Sequence, residues 1–135
     1  MASRDGTFGI RSGKAGPFVS VLTVSGPIED GANETLRESL ADPGLASKLV
    51  VVDLTEATLY DSWPFALLAD ETRRYRNAGG ELVVVSGDNA TVDPFVGESS
   101  LPELRWFASL DDALMELLGE VVERAGWPTE LPAAR

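Results

Sequence analysis

This sequence predicts a single α/β domain built on a mixed, mostly parallel sheet of four or five strands with packed helices, and three observations carry that prediction. Two nearly unbroken aliphatic runs, residues 48–54 and 81–86, lack a polar face, the pattern of strands covered on both sides. Helical spacing of apolar residues recurs between the runs, which implies crossover connections and parallel pairing. A chain of 135 residues with 44% hydrophobic content suits one core.

Residues 1–16 read as a flexible N-terminal segment with a first strand at 7–11, which would run antiparallel and make the sheet mixed. The domain proper spans 17–125. Its first clear strand, 18–24, is rich in β-branched residues and is closed by the turn-forming Ser25-Gly26-Pro27. A short helix follows at 32–40, with Leu36 and Leu40 four apart and Asp30 or Asn33 available as its cap; Asp42-Pro43-Gly44 ends it. The strand at 48–54 runs into a loop at 55–61. From 62 to 77 the apolar residues Phe65, Leu68, Ala69 and Tyr75 keep helical spacing, with Arg73, Arg74 and Arg76 in the last turns and Gly79-Gly80 beyond. The strand at 81–86 enters a Gly87-Asp88-Asn89 turn and a weakly patterned helix near 91–97. A last strand is expected at 104–108. Ser109 then starts a terminal helix whose apolar face is Leu110, Leu114, Leu117, Leu118 and Val121. Gly126-Trp127-Pro128 ends it, leaving 126–135 as a tail.

Composition narrows the function. With no Cys and no His there is no thiol nucleophile, no imidazole base and no imidazole metal ligand. A net charge of −11 repels phosphate backbones and anionic membrane surfaces, so neither nucleic acid nor a lipid surface is an expected partner. The apolar runs are too short to cross a bilayer and nothing near Met1 has signal-peptide layout, so a cytoplasmic location is expected. No cofactor or metal is expected. An alternative, a magnesium or phosphoacceptor site built from Asp53, Glu56 and Asp61, lacks the lysine after the last strand that such a site wants.

In sheets of this kind the loops leaving the carboxyl ends of strands carry function, which points to 25–30, 55–63 and 86–89. Ser62 stands at a helix start, where a serine is either a cap or a group whose phosphorylation the helix dipole would tolerate. Trp63 is open to two readings, a core or lid residue and an exposed anchor. Pro64 fits the first helical turn.

Taken in order, the aliphatic strand ending in Asp53-Leu54, then Tyr60-Asp61-Ser62 opening a helix, then Ala78-Gly79-Gly80-Glu81-Leu82 entering the next strand resemble the centre of STAS domains, in particular bacterial anti-anti-sigma factors. Ser25-Gly26-Pro27-Ile28-Glu29 and Ser109-Leu110-Asp111-Asp112-Ala113 match flanking features. The resemblance implies a STAS-like fold and a regulatory protein-binding module, not an enzyme. It also implies a partner of the GHKL serine kinase type that doubles as an anti-sigma factor. In the family motif Asp-Ser-Ser/Thr-Gly the residue after Asp is the phosphorylated serine. Asp61 and Ser62 match, while Trp63 and Pro64 replace the last two positions, and Glu29 replaces an Asp. The resemblance thus implies Ser62 as phosphoacceptor and Glu29, Asp30, Asp61, Ser62, Trp63 and Pro64 as the partner-binding surface. The alternative is a non-phosphorylated STAS scaffold or transport-accessory subunit with Trp63 and Pro64 as a permanent interface. Oligomeric state is not legible.

Overall fold

The computed structural model describes residues 8–15, 19–29, 31–41, 49–92 and 104–125. Its strands are β1 (Gly9–Lys14), β2 (Val19–Ile28), β3 (Leu49–Leu59), β4 (Glu81–Val85) and β5 (Trp106–Phe107), and its helices α1 (Ala32–Leu40), α2 (Trp63–Asn77) and α3 (Leu110–Ala125). The five strands form one sheet in the order β1-β2-β3-β4-β5. β1 runs antiparallel to β2, and every other pair is parallel. The expected mixed sheet is therefore present, with the two aliphatic runs as the neighbouring strands β3 and β4.

Strands laid down in chain order with right-handed crossovers place their connecting helices on one face. Accordingly Leu22, Val24, Val50, Val52, Leu82 and Val84 share a core with Leu36 and Leu40 of α1 and Phe65, Leu68 and Tyr75 of α2. The alternate residues Val19, Leu49, Val51, Val83 and Val85 form a second, smaller core with Ala113 and Leu117 of α3. This two-sided burial is why β3 and β4 read as continuous aliphatic runs. Tyr75 ties the two connecting helices together, its hydroxyl donating to the Leu40 carbonyl at 2.8 Å.

β2 and β3 are longer than the sequence suggests. Ser25-Gly26-Pro27 does not end β2: Gly26 takes φ 81°, and residues 25–28 pair with 56–59 of β3. Among the described residues β1 pairs with β2 no further than Ser25, and a strand tolerates a proline where one of its sides is unpaired. The expected loop at 55–61 is likewise strand as far as Leu59. Between Thr23↔Asp53 and Ser25↔Glu56 the register shifts, with one residue on β2 facing two on β3, which is a β-bulge. Asp53 stabilises it, its Oδ1 accepting from the Thr55 N–H (3.0 Å) and hydroxyl (2.7 Å). The extra residue reverses the alternation: Val50, Val52 and Leu54 face the α1/α2 core before it, Ala57 and Leu59 after it.

Beyond Asp53, β3 has outrun β4, and side chains take over the pairing. The Asn89 amide donates to the carbonyls of Leu54 (2.7 Å) and Ala57 (2.5 Å), and the Thr91 hydroxyl accepts from the Leu59 N–H (3.1 Å).

Other details differ from expectation. Gly31, not Asp30 or Asn33, is the α1 N-cap, and no side chain caps it; the Ala32 N–H donates to the Glu29 carbonyl instead, at 2.8 Å. Asp30 itself, the Asp42-Pro43-Gly44 terminator and most of the helix expected near 91–97 lie outside the described residues. The terminal helix begins as expected, with Ser109 Oγ accepting from the Asp112 N–H at 3.1 Å. Its buried side, however, is Leu110, Ala113, Leu114 and Leu117, and Leu118 is exposed.

One buried charge anchors the far end of the sheet. Glu81 is 7% exposed and bonds to Arg76 in the last turn of α2 (2.6 Å) and to Arg105 before β5 (2.9 Å), while Arg105 also reaches Glu116 of α3. Burial alone pushes the Glu81 carboxyl up, but the two arginines and the Leu82 N–H outweigh it and hold it below its ordinary value.

Candidate functional site

Because β2 and β3 end in register, with Ile28 opposite Leu59, the segments that follow them emerge side by side. Ile28, Glu29, Tyr60, Asp61 and Trp63 line an open concavity of about 330 Å³. Glu29 is exposed, and Tyr60 is 65% exposed, a large aromatic ring left in solvent directly after a buried strand. Among the described residues that line the concavity, the anionic side chains meet no cation.

Asp61 turns back on the chain, its Oδ1 accepting from the Ser62 N–H at 2.7 Å. Ser62 is the N-cap of α2, with φ −94° and ψ −4° and no side-chain cap hydrogen bond. Its backbone carbonyl, not its hydroxyl, takes the Phe65 N–H at 3.0 Å. The Ser62 hydroxyl therefore makes no capping bond and stands exposed at a helix N-terminus, where the dipole favours negative charge.

Trp63 opens α2 despite the proline after it, and it is half-buried against the α1/α2 core. It packs as a wall of that core with one side left in solvent. Pro64 is buried in the first turn, so it offers no open surface for a permanent interface. Glu29, Asp61, Ser62 and Trp63 are brought together; Asp30 lies outside the described residues. Tyr60, within the loop 55–63 to which the sequence pattern points, joins them at the concavity.

The three acids of the alternative magnesium or phosphoacceptor site go to separate partners. Asp53 holds the bulge, Glu56 pairs with Arg11 at 3.4 Å, and Asp61 binds the backbone of Ser62. Among the described residues no group of three such side chains could hold a metal ion, and no helix is long and apolar enough to cross a membrane.

The family model described as the STAS domain matches residues 14–113. No curated protein matches the chain. Among solved structures, the fold is similar to an anti-sigma factor antagonist from Mycobacterium paratuberculosis, with a TM-score of 0.69 and 23% identity over 82% of this chain and 94% of that one. It is also similar to the anti-sigma factor antagonist SpoIIAA in its unphosphorylated form (TM-score 0.64, 12% identity, 82% and 97% covered). The phosphorylated form of SpoIIAA, described as a Bacillus cell fate determinant, is similar too (TM-score 0.57, 12% identity, 80% and 98% covered).

Proposed function

The chain belongs to the STAS domain family, and on that premise we propose that it is an anti-sigma factor antagonist or a related signalling protein. In this reading it is a cytoplasmic, non-enzymatic module that regulates transcription by binding a protein partner, an anti-sigma factor of the GHKL serine kinase type. The docking surface is formed by Glu29, Tyr60, Asp61, Ser62 and the open side of Trp63, and phosphorylation of Ser62 releases the partner.

The observation that carries this is the Ser62 hydroxyl, exposed at the start of α2 with no capping bond to give up. A phosphate there adds roughly −1.5 to −2 charges. The helix N-terminus accommodates that charge, so the fold survives. The docked face does not, because bulk and charge enter beside Asp61 at the edge of the concavity. A protein of this fold known in both unphosphorylated and phosphorylated forms supports a switch of this kind.

The test begins with affinity capture from the native cytoplasm to identify the partner. Calorimetry then compares wild type, Ser62→Ala and Ser62→Asp. Ser62→Ala is expected to bind like wild type and resist kinase-dependent release, while Ser62→Asp binds at least about tenfold more weakly, or about 1.4 kcal/mol. Equal affinity for all three proteins sinks the switch.

A further inference from the structure

The concavity where β2 and β3 end combines three kinds of wall. Ile28, 1% exposed, is its innermost lining residue. Two aromatic rings stand beside it, the exposed Tyr60 and the half-buried Trp63. Its charged lining residues are Glu29 and Asp61, and among the described residues neither is in an ion pair, whereas Glu56 has Arg11 and Asp70 has Arg73. A second concavity, about 270 Å³ in volume, reaches Glu29 from the side of Phe8 and Pro27, and no cation is among its described lining residues either. Arg37 lines a separate groove that shares only Trp63 with the Tyr60 concavity.

We infer that the Tyr60 concavity takes one arginine side chain of the partner protein. Its aliphatic stem lies against Ile28 and Trp63, and its guanidinium sits on the Tyr60 ring and pairs with the Glu29 carboxylate. A planar guanidinium both stacks on an aromatic face and forks onto a carboxylate, which is the combination of groups present here. Asp61 spends Oδ1 on the Ser62 N–H, so it adds charge beside the guest more than a second fork. The alternatives fit less well. An apolar side chain would desolvate two carboxylates and leave both unpaired, and an acidic one would be repelled by both. The inference rests on the reading that this end of the sheet binds a protein, and it names what that protein presents. Ser62 is not among the lining residues, so the arginine and the group displaced by a Ser62 phosphate are different parts of the partner.

The test is selection of a displayed library of random peptides, flanked by fixed sequence on both sides, against the full chain, followed by calorimetry on the winners. Enriched peptides should share one arginine, and replacing it with citrulline, its neutral near-isostere, should weaken binding at least about tenfold. A chain of net −11 attracts basic peptides over much of its surface, so variants of the chain decide where they bind. Glu29→Gln and Tyr60→Ala should each weaken the winners, and Glu29→Gln should shrink the difference between arginine and citrulline. Glu38→Gln, which removes the same charge in the last turn of α1, should change neither. Glu29, Tyr60 and Glu38 are exposed, so these variants should melt like wild type. Failure to enrich any peptide, winners without a cationic residue, or winners that bind Glu29→Gln and Tyr60→Ala as tightly as wild type overturn the inference. A natural partner weakened by Ser62→Asp but not by Glu29→Gln or Tyr60→Ala overturns it as well, yet leaves the antagonist reading standing. A partner weakened by Glu29→Gln and Tyr60→Ala but indifferent to Ser62 supports the arginine and removes only the switch.

Discussion

Gly87 holds the turn after β4 against the bulge of β3, and replacing it gives a cost that can be split into two parts. Its φ is +62°, and a Cβ built there would lie 2.2 Å from Thr55 Cγ2 and 3.2 Å from Thr55 Cβ. In Gly87→Ala the left-handed backbone costs about 1–2 kcal/mol, and displacing Thr55 costs about 1–3 kcal/mol more. Stabilities of about 5–15 kcal/mol and urea slopes of about 1–3 kcal/mol/M turn this into a fall in urea midpoint on the order of 1–2 M. Thr55→Ser deletes the clashing methyl and keeps the hydroxyl that bonds Asp53. The double variant should therefore recover about 1–2 kcal/mol relative to the sum of the singles. Equilibrium urea denaturation of the four proteins, followed by tryptophan fluorescence, measures the cycle. A Gly87→Ala protein within about 0.5 kcal/mol of wild type, or a cycle with no coupling, refutes the contact between this turn and the bulge.

Val84 has no exposed surface, so Val84→Asp is expected to abolish folding, because the lone charge has no partner and its desolvation rivals the whole stability; a soluble, cooperatively melting variant counts against the central position of β4. Glu81→Gln should lose about 1–3 kcal/mol at neutral pH. Since the folded Glu81 carboxyl is held below its ordinary value of 4.5, its contribution is complete above that value and fades as the pH falls through the lower folded value. Wild type and Glu81→Gln should therefore converge in acid melting curves, and a gap constant with pH contradicts the linkage. Trp63→Ala should lower both partner affinity and stability by about 2 kcal/mol each, because the indole is half core and half surface; an unchanged melting temperature means that it does not pack.

What the sequence made legible follows the range of the forces involved. β3 and β4 were readable because Val50, Val51, Val52 and Leu82, Val83, Val84 are buried on both faces, and the start of α3 because Ser109 caps within three residues. The continuation of β2 through Ser25-Gly26-Pro27 was hidden because it depends on pairing with residues some thirty positions away; locally that tripeptide carries only turn signals. The bulge concealed the end of β3 in the same way, since it breaks the alternation that marks a strand. At the site, Asp61 and Ser62 could be found from their order in the chain. The half-burial of Trp63 could not, because it depends on how α1 packs beside α2, and the leucine-based face of α3 overlooked Ala113 because a small side chain gives a weak apolar signal.

The order of the sheet bears on how the chain assembles. From β1 to β5 every strand joins the one synthesised before it, so no strand has to be inserted between two others already in place. As the polypeptide leaves the ribosome, each addition is made at a single advancing edge, and the segments that must meet are near neighbours in time as well as in sequence. The vulnerable moment falls late. Until the two residues of β5 arrive, β4 presents a strand that is apolar from Leu82 to Val85 with one side open, the kind of edge on which another chain can add. The short β5, fastened through Arg105 to Glu81 and Glu116, covers that edge at Val84 and Val85, where an unfinished copy would otherwise add.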